Sequence, residues 1–114
     1  MNKKACIGIC AAALAVTAAA PALAQGYPAK PVRIYVGFAP GGGTDIMARA
    51  VAAKLSESMK QQFIVENRPG ANANLAAKLV SEAPADGYTL LFMSVSHIMS
   101  KPVYKNLGYD IERD

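Results

Sequence analysis

The sequence predicts an α/β protein built on a βαβαβ parallel sheet. Short β-branched and aromatic runs at 32–36, 63–65 and 88–93 alternate with two longer segments of helical spacing. Breaks rich in glycine and proline separate them, at Pro40-Gly41-Gly42-Gly43, Asn67-Arg68-Pro69-Gly70 and Pro84-Ala85-Asp86-Gly87. Strand, helix, strand, helix, strand in that order reads as a parallel sheet with crossover helices. In such sheets ligands bind outside the carboxyl ends of the strands. The loops after the strands are therefore the first place to look for function.

The chain of 114 residues opens on a segment of another kind. Met1-Asn2-Lys3-Lys4 is a basic start, 5–20 is an uncharged Ala-rich run, and Pro21-Ala22-Leu23-Ala24 supplies small residues for an A-x-A cleavage site. That is the layout of a secretory signal peptide. A membrane anchor needs about 20 strongly apolar residues; this run is shorter, richer in alanine and ends in a cleavage motif. Residues 1–24 are therefore expected to be a leader removed after Ala24. Both cysteines, Cys6 and Cys10, lie inside it, so a chain starting at Gln25 has no disulfide or thiol chemistry. Cys10 follows Ile9 and comes too early for a lipoprotein anchor. Removing Lys3 and Lys4 leaves ten basic against eight acidic residues, a net charge of +2 in place of +4. The basic residues are scattered, which gives no support to nucleic-acid binding.

From Gln25 the elements follow in order. A polar, proline-containing lead-in reaches Pro31, and Val32-Arg33-Ile34-Tyr35-Val36 forms the first strand. The glycines break it, and Gly43 or Thr44 is placed to cap a helix whose first turn carries Asp45. Met47, Val51, Leu55 and Met59 make an apolar stripe at helical spacing, Asp45 and Arg49 make an i,i+4 pair on another face, and the helix ends near Lys60. Phe63-Ile64-Val65 is the second strand. A second helix is expected over 71–83, burying Leu75, Ala76, Leu79 and Val80 and stopped by Pro84. The nearly unbroken apolar run 88–93 predicts a strand buried on both faces. Ser94 to His97 then follows as a loop, and a helical segment runs from about His97 to Tyr104.

The loop Gly41-Gly42-Gly43-Thr44-Asp45 is the most informative local feature. Glycines let the backbone approach a ligand. The helix start behind them offers unpaired N–H groups and a partial positive charge, which together suit an anion. An ordinary glycine-rich turn in which Thr44 and Asp45 cap a helix explains the same residues. No Lys-Ser or Lys-Thr follows, so it is not a P-loop, and it is not the G-x-G-x-x-G dinucleotide pattern. Asp45 is either a ligand-facing carboxylate or, as is commoner at that position, a complement to the helix dipole. His97 is the single histidine. Without clustered acidic or cysteine partners it makes no metal site, and a hydrogen-bonding role suits it better than general base. No serine sits in a G-x-S-x-G elbow. Arg68 reads either as a carboxylate clamp or as the fastener of its own turn. Tyr104 and Tyr109 cover the sheet by default. No catalytic residue, metal or cofactor is expected.

Four blocks in order resemble the substrate-binding family of the tripartite tricarboxylate transporters, also called Bug or TctC-like receptors. They are Tyr27-Pro28 with Lys30-Pro31 and Phe38-Ala39-Pro40-Gly41-Gly42-Gly43-Thr44-Asp45; Glu66-Asn67-Arg68-Pro69-Gly70-Ala71 with Asn74; Pro84-Ala85-Asp86-Gly87-Tyr88-Thr89-Leu90-Leu91; and Ser96-His97 with Tyr104, Leu107 and Tyr109-Asp110. The resemblance implies a periplasmic receptor of two α/β lobes, of the type II binding-protein kind, with a ligand cleft between them. Residues 25–114 then correspond to the beginning of the first lobe, and the second lobe is absent from this chain. The implied ligand is a small di- or tricarboxylate or related organic anion, handed to membrane transporter subunits. Gly41, Gly42, Gly43, Thr44 and Asp45 match the family's first ligand loop, and Ser96 and His97 match the cleft-facing loop after the third strand. The sequence departs from the family pattern after Gly70, where Asn72, Ala73 and Ala76 replace a stretch usually richer in glycine. It departs again at Ser100 and Lys101, where Asn and Pro are common. An exported enzyme on a similar sheet and a truncated remnant that binds nothing are the competing readings.

Cleavage after Ala24 predicts that exported protein has lost residues 1–24. Intact-mass measurement on periplasmic material checks this, and retention of Met1 would overturn the leader assignment.

Overall fold

The computed structural model describes residues 26–113. The expected leader and its cleavage site lie outside them. The elements are β1 (Val32–Val36), α1 (Gly43–Met59), β2 (Phe63–Asn67), a 3-10 turn (Ala71–Ala73), α2 (Asn74–Ser81), β3 (Thr89–Phe92) and α3 (Val95–Val103). All three strands are parallel, in the order β2-β1-β3. The predicted α/β class and the βαβαβ parallel sheet are thus what the chain forms.

β1 lies in the centre, paired with β2 on one side and β3 on the other. Val32, Ile34, Tyr35 and Val36 are all buried. Its register sets Val32 beside Phe63 and Ile34 beside Leu90, so these side chains share one face. Ala52 of α1 closes that face, with Leu55, Val65 and Phe92 packed around it. At the far edge Val36 is level with Asn67 and Phe92, which brings the loops after all three strands to one side of the molecule.

The expectation that 88–93 is buried on both faces is corrected. β3 is half-buried along its length, because it pairs with β1 and no strand lies on its other side among the described residues. The stripe on α1 is corrected too. Met47 is 62% and Val51 44% exposed, while Ala48 and Ala52, one position further round the helix, are buried. Two alanines on the inner face let the helix axis approach the sheet, and Leu55 packs at the margin. Arg49 does pair with Asp45 away from the stripe. In the second helix, Ala76 is buried as expected, Leu79 and Val80 are half-buried, and Leu75 is exposed; Asn74 and Ala77 take the inner positions.

That rotation begins at the helix start. Ala71, Asn72 and Ala73 all have positive φ, at 47°, 54° and 73°. The α-helix therefore starts at Asn74, later than expected. Left-handed backbone costs an L-residue about 1–2 kcal/mol, and Asn72 and Ala73 are among the residues at which the sequence departs from the glycine-richer pattern. The turn is held against the end of β1, where a Cβ on Gly37 would fall 2.4 Å from the Cβ of Ala73.

Two opposite effects on stability follow for this corner. Ala71→Gly relieves an exposed left-handed residue and is expected to raise the unfolding free energy by about 0.5–1 kcal/mol. Gly37→Ala forces β1 and the 3-10 turn apart and is expected to lower it by about 1–3 kcal/mol. Urea unfolding of the two variants reads both; a neutral Gly37→Ala would show that the turn is not held against β1.

Candidate functional site

The loop between β1 and α1 is closed by one carboxylate. Asp45 is 3% exposed although it sits in the first turn of α1. Its Oδ2 accepts from the amide of Gly41 at 2.9 Å and from Nε of Arg49 at 3.0 Å. Its Oδ1 accepts from Nδ2 of Asn67 at 2.8 Å. The same Nδ2 donates to the carbonyl of Phe38 at 3.0 Å, and Oδ1 of Asn67 accepts from Arg49 at 3.0 Å. Strand β2 thus reaches across its end and fastens the loop after β1. Gly41 needs its lack of a side chain, since its φ is +84°.

Capping by Gly43 or Thr44 is corrected. The N-cap of α1 is Gly42, in extended conformation and with no side-chain cap. The first intrahelical bond runs from the amide of Ile46 to the carbonyl of Gly42 at 3.0 Å. The amides of Gly43, Thr44 and Asp45 precede it and have no carbonyl of their own helix to donate to. The Gly41 amide, expected to be free for a ligand, is occupied by Asp45. Of the five loop residues, Gly43 and Thr44 therefore present amides with no helical acceptor, while the Gly42 amide donates to the Ala39 carbonyl at 3.5 Å and Gly41 and Asp45 bind each other.

Ser96 and His97 are placed differently from expectation. They lie inside the first turn of α3, not in a loop facing a cleft. His97 is fully buried, and its Nδ1 faces the amide of Ser94 at 3.1 Å and the Ser94 hydroxyl at 3.2 Å. It completes a capping box, with Ser94 as the N-cap. Such a box needs a side chain at N3 that can turn back to the N-cap, and His97 occupies that place. Its Nε2 is buried without a hydrogen-bond partner among the described residues. Ser94 and Val95 stand nearer the first loop. With Thr44, Met47, Phe92, Met93 and Ile98 they line an open, largely apolar cleft of about 450 Å³ at the carboxyl edge of the sheet.

Three polar residues hold the other side of this edge, and sequence reasoning assigns none of them that role. Asn74 donates to the carbonyl of Ala71 at 2.8 Å and to the Ser100 hydroxyl at 3.1 Å, and accepts from the Tyr109 hydroxyl at 2.6 Å. Ser100 in turn donates to the carbonyl of Ser96 at 2.7 Å. Arg68 fastens its turn, its amide donating to the carbonyl of Val36 at 2.8 Å while its guanidinium lies 3.4 Å from Glu66. Among the described residues, no group of three or more His, Cys, Asp or Glu side chains is placed to hold a metal ion.

The Arg49 guanidinium, the Gly41 amide and the Asn67 amide hold the Asp45 carboxyl down from its ordinary value of 3.8 to about 2. A carboxylate with a depressed folded-state pKa adds stability above its unfolded value and loses it as the pH falls through the folded one. The loop clamp should therefore be intact at neutral and mildly acid pH and be lost progressively between about pH 4 and 2. Urea unfolding as a function of pH checks this. Asp45→Asn is expected to be less stable than the parent at neutral pH and to lack that part of the acid transition.

The tripartite tricarboxylate transporter family receptor model matches residues 47–114. A UPF0065 protein of Bordetella bronchiseptica is 43% identical over 94 residues, 82% of this chain and 28% of the relative. The periplasmic binding protein BugD superposes with a TM-score of 0.71 at 37% identity, over 74% of this chain and 28% of that one. A protein of R. palustris solved with adipate superposes with a TM-score of 0.66 at 38% identity, over 77% of this chain and 30% of that one. The chain thus spans under a third of the length of these relatives. The α/β fold described above is similar to part of these periplasmic binding proteins, and the chain belongs to the tripartite tricarboxylate transporter receptor family.

Proposed function

We propose that this chain is the first-lobe portion of a periplasmic receptor that captures a small organic carboxylate for a membrane transporter. In this reading residues 1–24 are the cleaved leader, and the protein binds its solute without transforming it. The observation that carries the reading is the preformed loop between β1 and α1. It ends in amides with no helical acceptor, at the carboxyl edge of a parallel sheet, where the helix end favours negative charge. Asp45 does not repel an anion there as an unpaired carboxylate would, because Arg49 and two amide donors satisfy it. The R. palustris relative solved with adipate lends chemical support.

In this arrangement a ligand carboxylate accepts from the amides of Gly43 and Thr44 and from the Thr44 hydroxyl. Its methylene chain lies along Met47, Met93 and Val95. Gly42 keeps the approach open. Ser96 and His97 act from behind, fixing the first turn of α3 so that Ser94 faces the cleft.

Gly42→Val tests this, because the backbone there admits a Cβ. Its φ is −74°, and an added Cβ meets only the carbonyl of Ala39, at 3.5 Å. In the receptor expressed from its full reading frame, a panel of organic acids including adipate is expected to raise the melting temperature. Saturation at about 100 times the dissociation constant corresponds to roughly 2.7 kcal/mol. The valine variant is expected to keep its circular dichroism and lose most of the binding measured by calorimetry. Unchanged affinity would remove the loop from the site, and turnover of a bound acid would favour an exported enzyme.

A further inference from the structure

We propose that Asn67, at the end of β2, is a positioning residue for the carboxylate loop: its side chain sets the loop's shape from a neighbouring strand, without touching ligand. This rests on the reading of the loop as a carboxylate site. The geometry is specific to an amide. One Nδ2 donates both to the Phe38 carbonyl at 3.0 Å and to Oδ1 of Asp45 at 2.8 Å, while Oδ1 accepts from Arg49 at 3.0 Å. Those contacts bracket the loop, with Phe38 on its incoming arm and Asp45 on its outgoing one. Asp45 then holds the Gly41 amide at the crest.

No other side chain could take its place isosterically. Aspartate has the shape but no donor, and would set a second carboxylate against Asp45. Leucine would leave the Phe38 carbonyl and one Asp45 oxygen unmatched. A glycine-rich loop without such a brace would sample many conformations, and a ligand would have to order it on binding, which weakens affinity. β2 extends by two residues past the apolar run Phe63-Ile64-Val65, and the parallel register puts Asn67 level with Val36, one residue before the loop begins. The Phe38 carbonyl on the loop's incoming arm and Asp45 at the start of α1 are thereby held by a residue that lies 22 positions away from Asp45.

The experiment compares wild type, Asn67→Ala and the isosteric Asn67→Asp in the receptor expressed from its full reading frame. Three quantities are read by NMR and calorimetry: the titration midpoint of the Asp45 carboxyl carbon, hydrogen exchange at the Gly41 amide, and affinity for adipate. Both substitutions are expected to raise the Asp45 midpoint, to speed exchange at Gly41 and to weaken adipate by about tenfold or more, with the melting curve still cooperative. Asn67→Asp is expected to show the larger shift in the midpoint. A merely structural asparagine would alter the melting temperature and leave the affinity of the folded protein unchanged, and that result overturns the proposal. The loop reading fails separately: a wild type whose Asp45 titrates low and whose Gly41 amide exchanges slowly, yet which binds no acid, overturns the site and with it the positioning role. If wild type binds and the Asn67 variants bind equally well, only the positioning role is lost.

Discussion

The buried carboxylate of Asp45 is the interaction on which this edge of the molecule depends. Removing an ionised carboxylate from water is unfavourable unless it is paired and hydrogen-bonded. Asp45 meets that condition with partners from three elements: the loop after β1, the next turn of α1, and the end of β2. The satisfaction of one charge therefore joins the strand, the helix and the neighbouring strand. It also decides which backbone donors remain open. The Gly41 amide is taken, and those at the start of α1 are not. Arg49 directs its charge inside the same triangle, so it is not a free cation for the loop. An anion bound there would be held by oriented amides and the helix end.

The second constraint is close approach. Small residues occur wherever elements meet: Ala48 and Ala52 beneath α1, Ala76 and Ala77 beneath α2, and Gly37 against Ala73. Three consecutive left-handed residues at 71–73 are tolerated because both ends are tied. The Leu75 amide reaches back toward the Gly70 carbonyl, and Asn74 holds the Ala71 carbonyl while bonding Ser100 and Tyr109. That network couples the loop after β2 to α3 and to the segment beyond it. The two sides of the carboxyl edge thus have different designs: a charged clamp around Asp45 and a neutral hydroxyl–amide network around Asn74.

Much of this is legible in the sequence, for identifiable reasons. β1 carries β-branched and aromatic residues bounded by proline and glycine, and its limits are those expected. The Asp45–Arg49 pair follows from helical spacing alone. The burial pattern is less legible. Met47, Val51 and Met59 mark an apolar stripe, yet alanines one position away face the sheet, because hydrophobicity does not say how closely a helix must approach. The run 88–93 reads as a doubly covered strand, but its environment is set by strand order, which residue composition does not encode. The start of α2 is invisible because nothing in Ala71-Asn72-Ala73 signals left-handed backbone. Asn67 reads as turn punctuation; a polar amide terminating an apolar strand beside a glycine loop is the available signal. His97 reads as a loop residue because Ser94-Val95-Ser96 has no helical periodicity, although serine three residues before a side chain able to reach back is a capping pattern.

The placement of His97 bears on how the two loops divide the work. A histidine that caps its own helix through Nδ1 is locked in orientation, so it shapes the cleft without entering it. The loop after β3 then meets the first loop through Ser94 and Val95, next to Thr44 and Met47. In the proposed reading, recognition at this edge would combine a polar end, made of backbone donors that suit any carboxylate, with an apolar wall made of side chains. Backbone amides are the same whatever residues surround them, so discrimination between acids has to come from the wall and from whatever faces it. That division would explain why the proposed polar end can be read from glycines and a helix start, whereas the proposed choice among acids would rest on cleft-lining side chains such as Met47, Met93 and Val95, which belong to no ligand-binding motif.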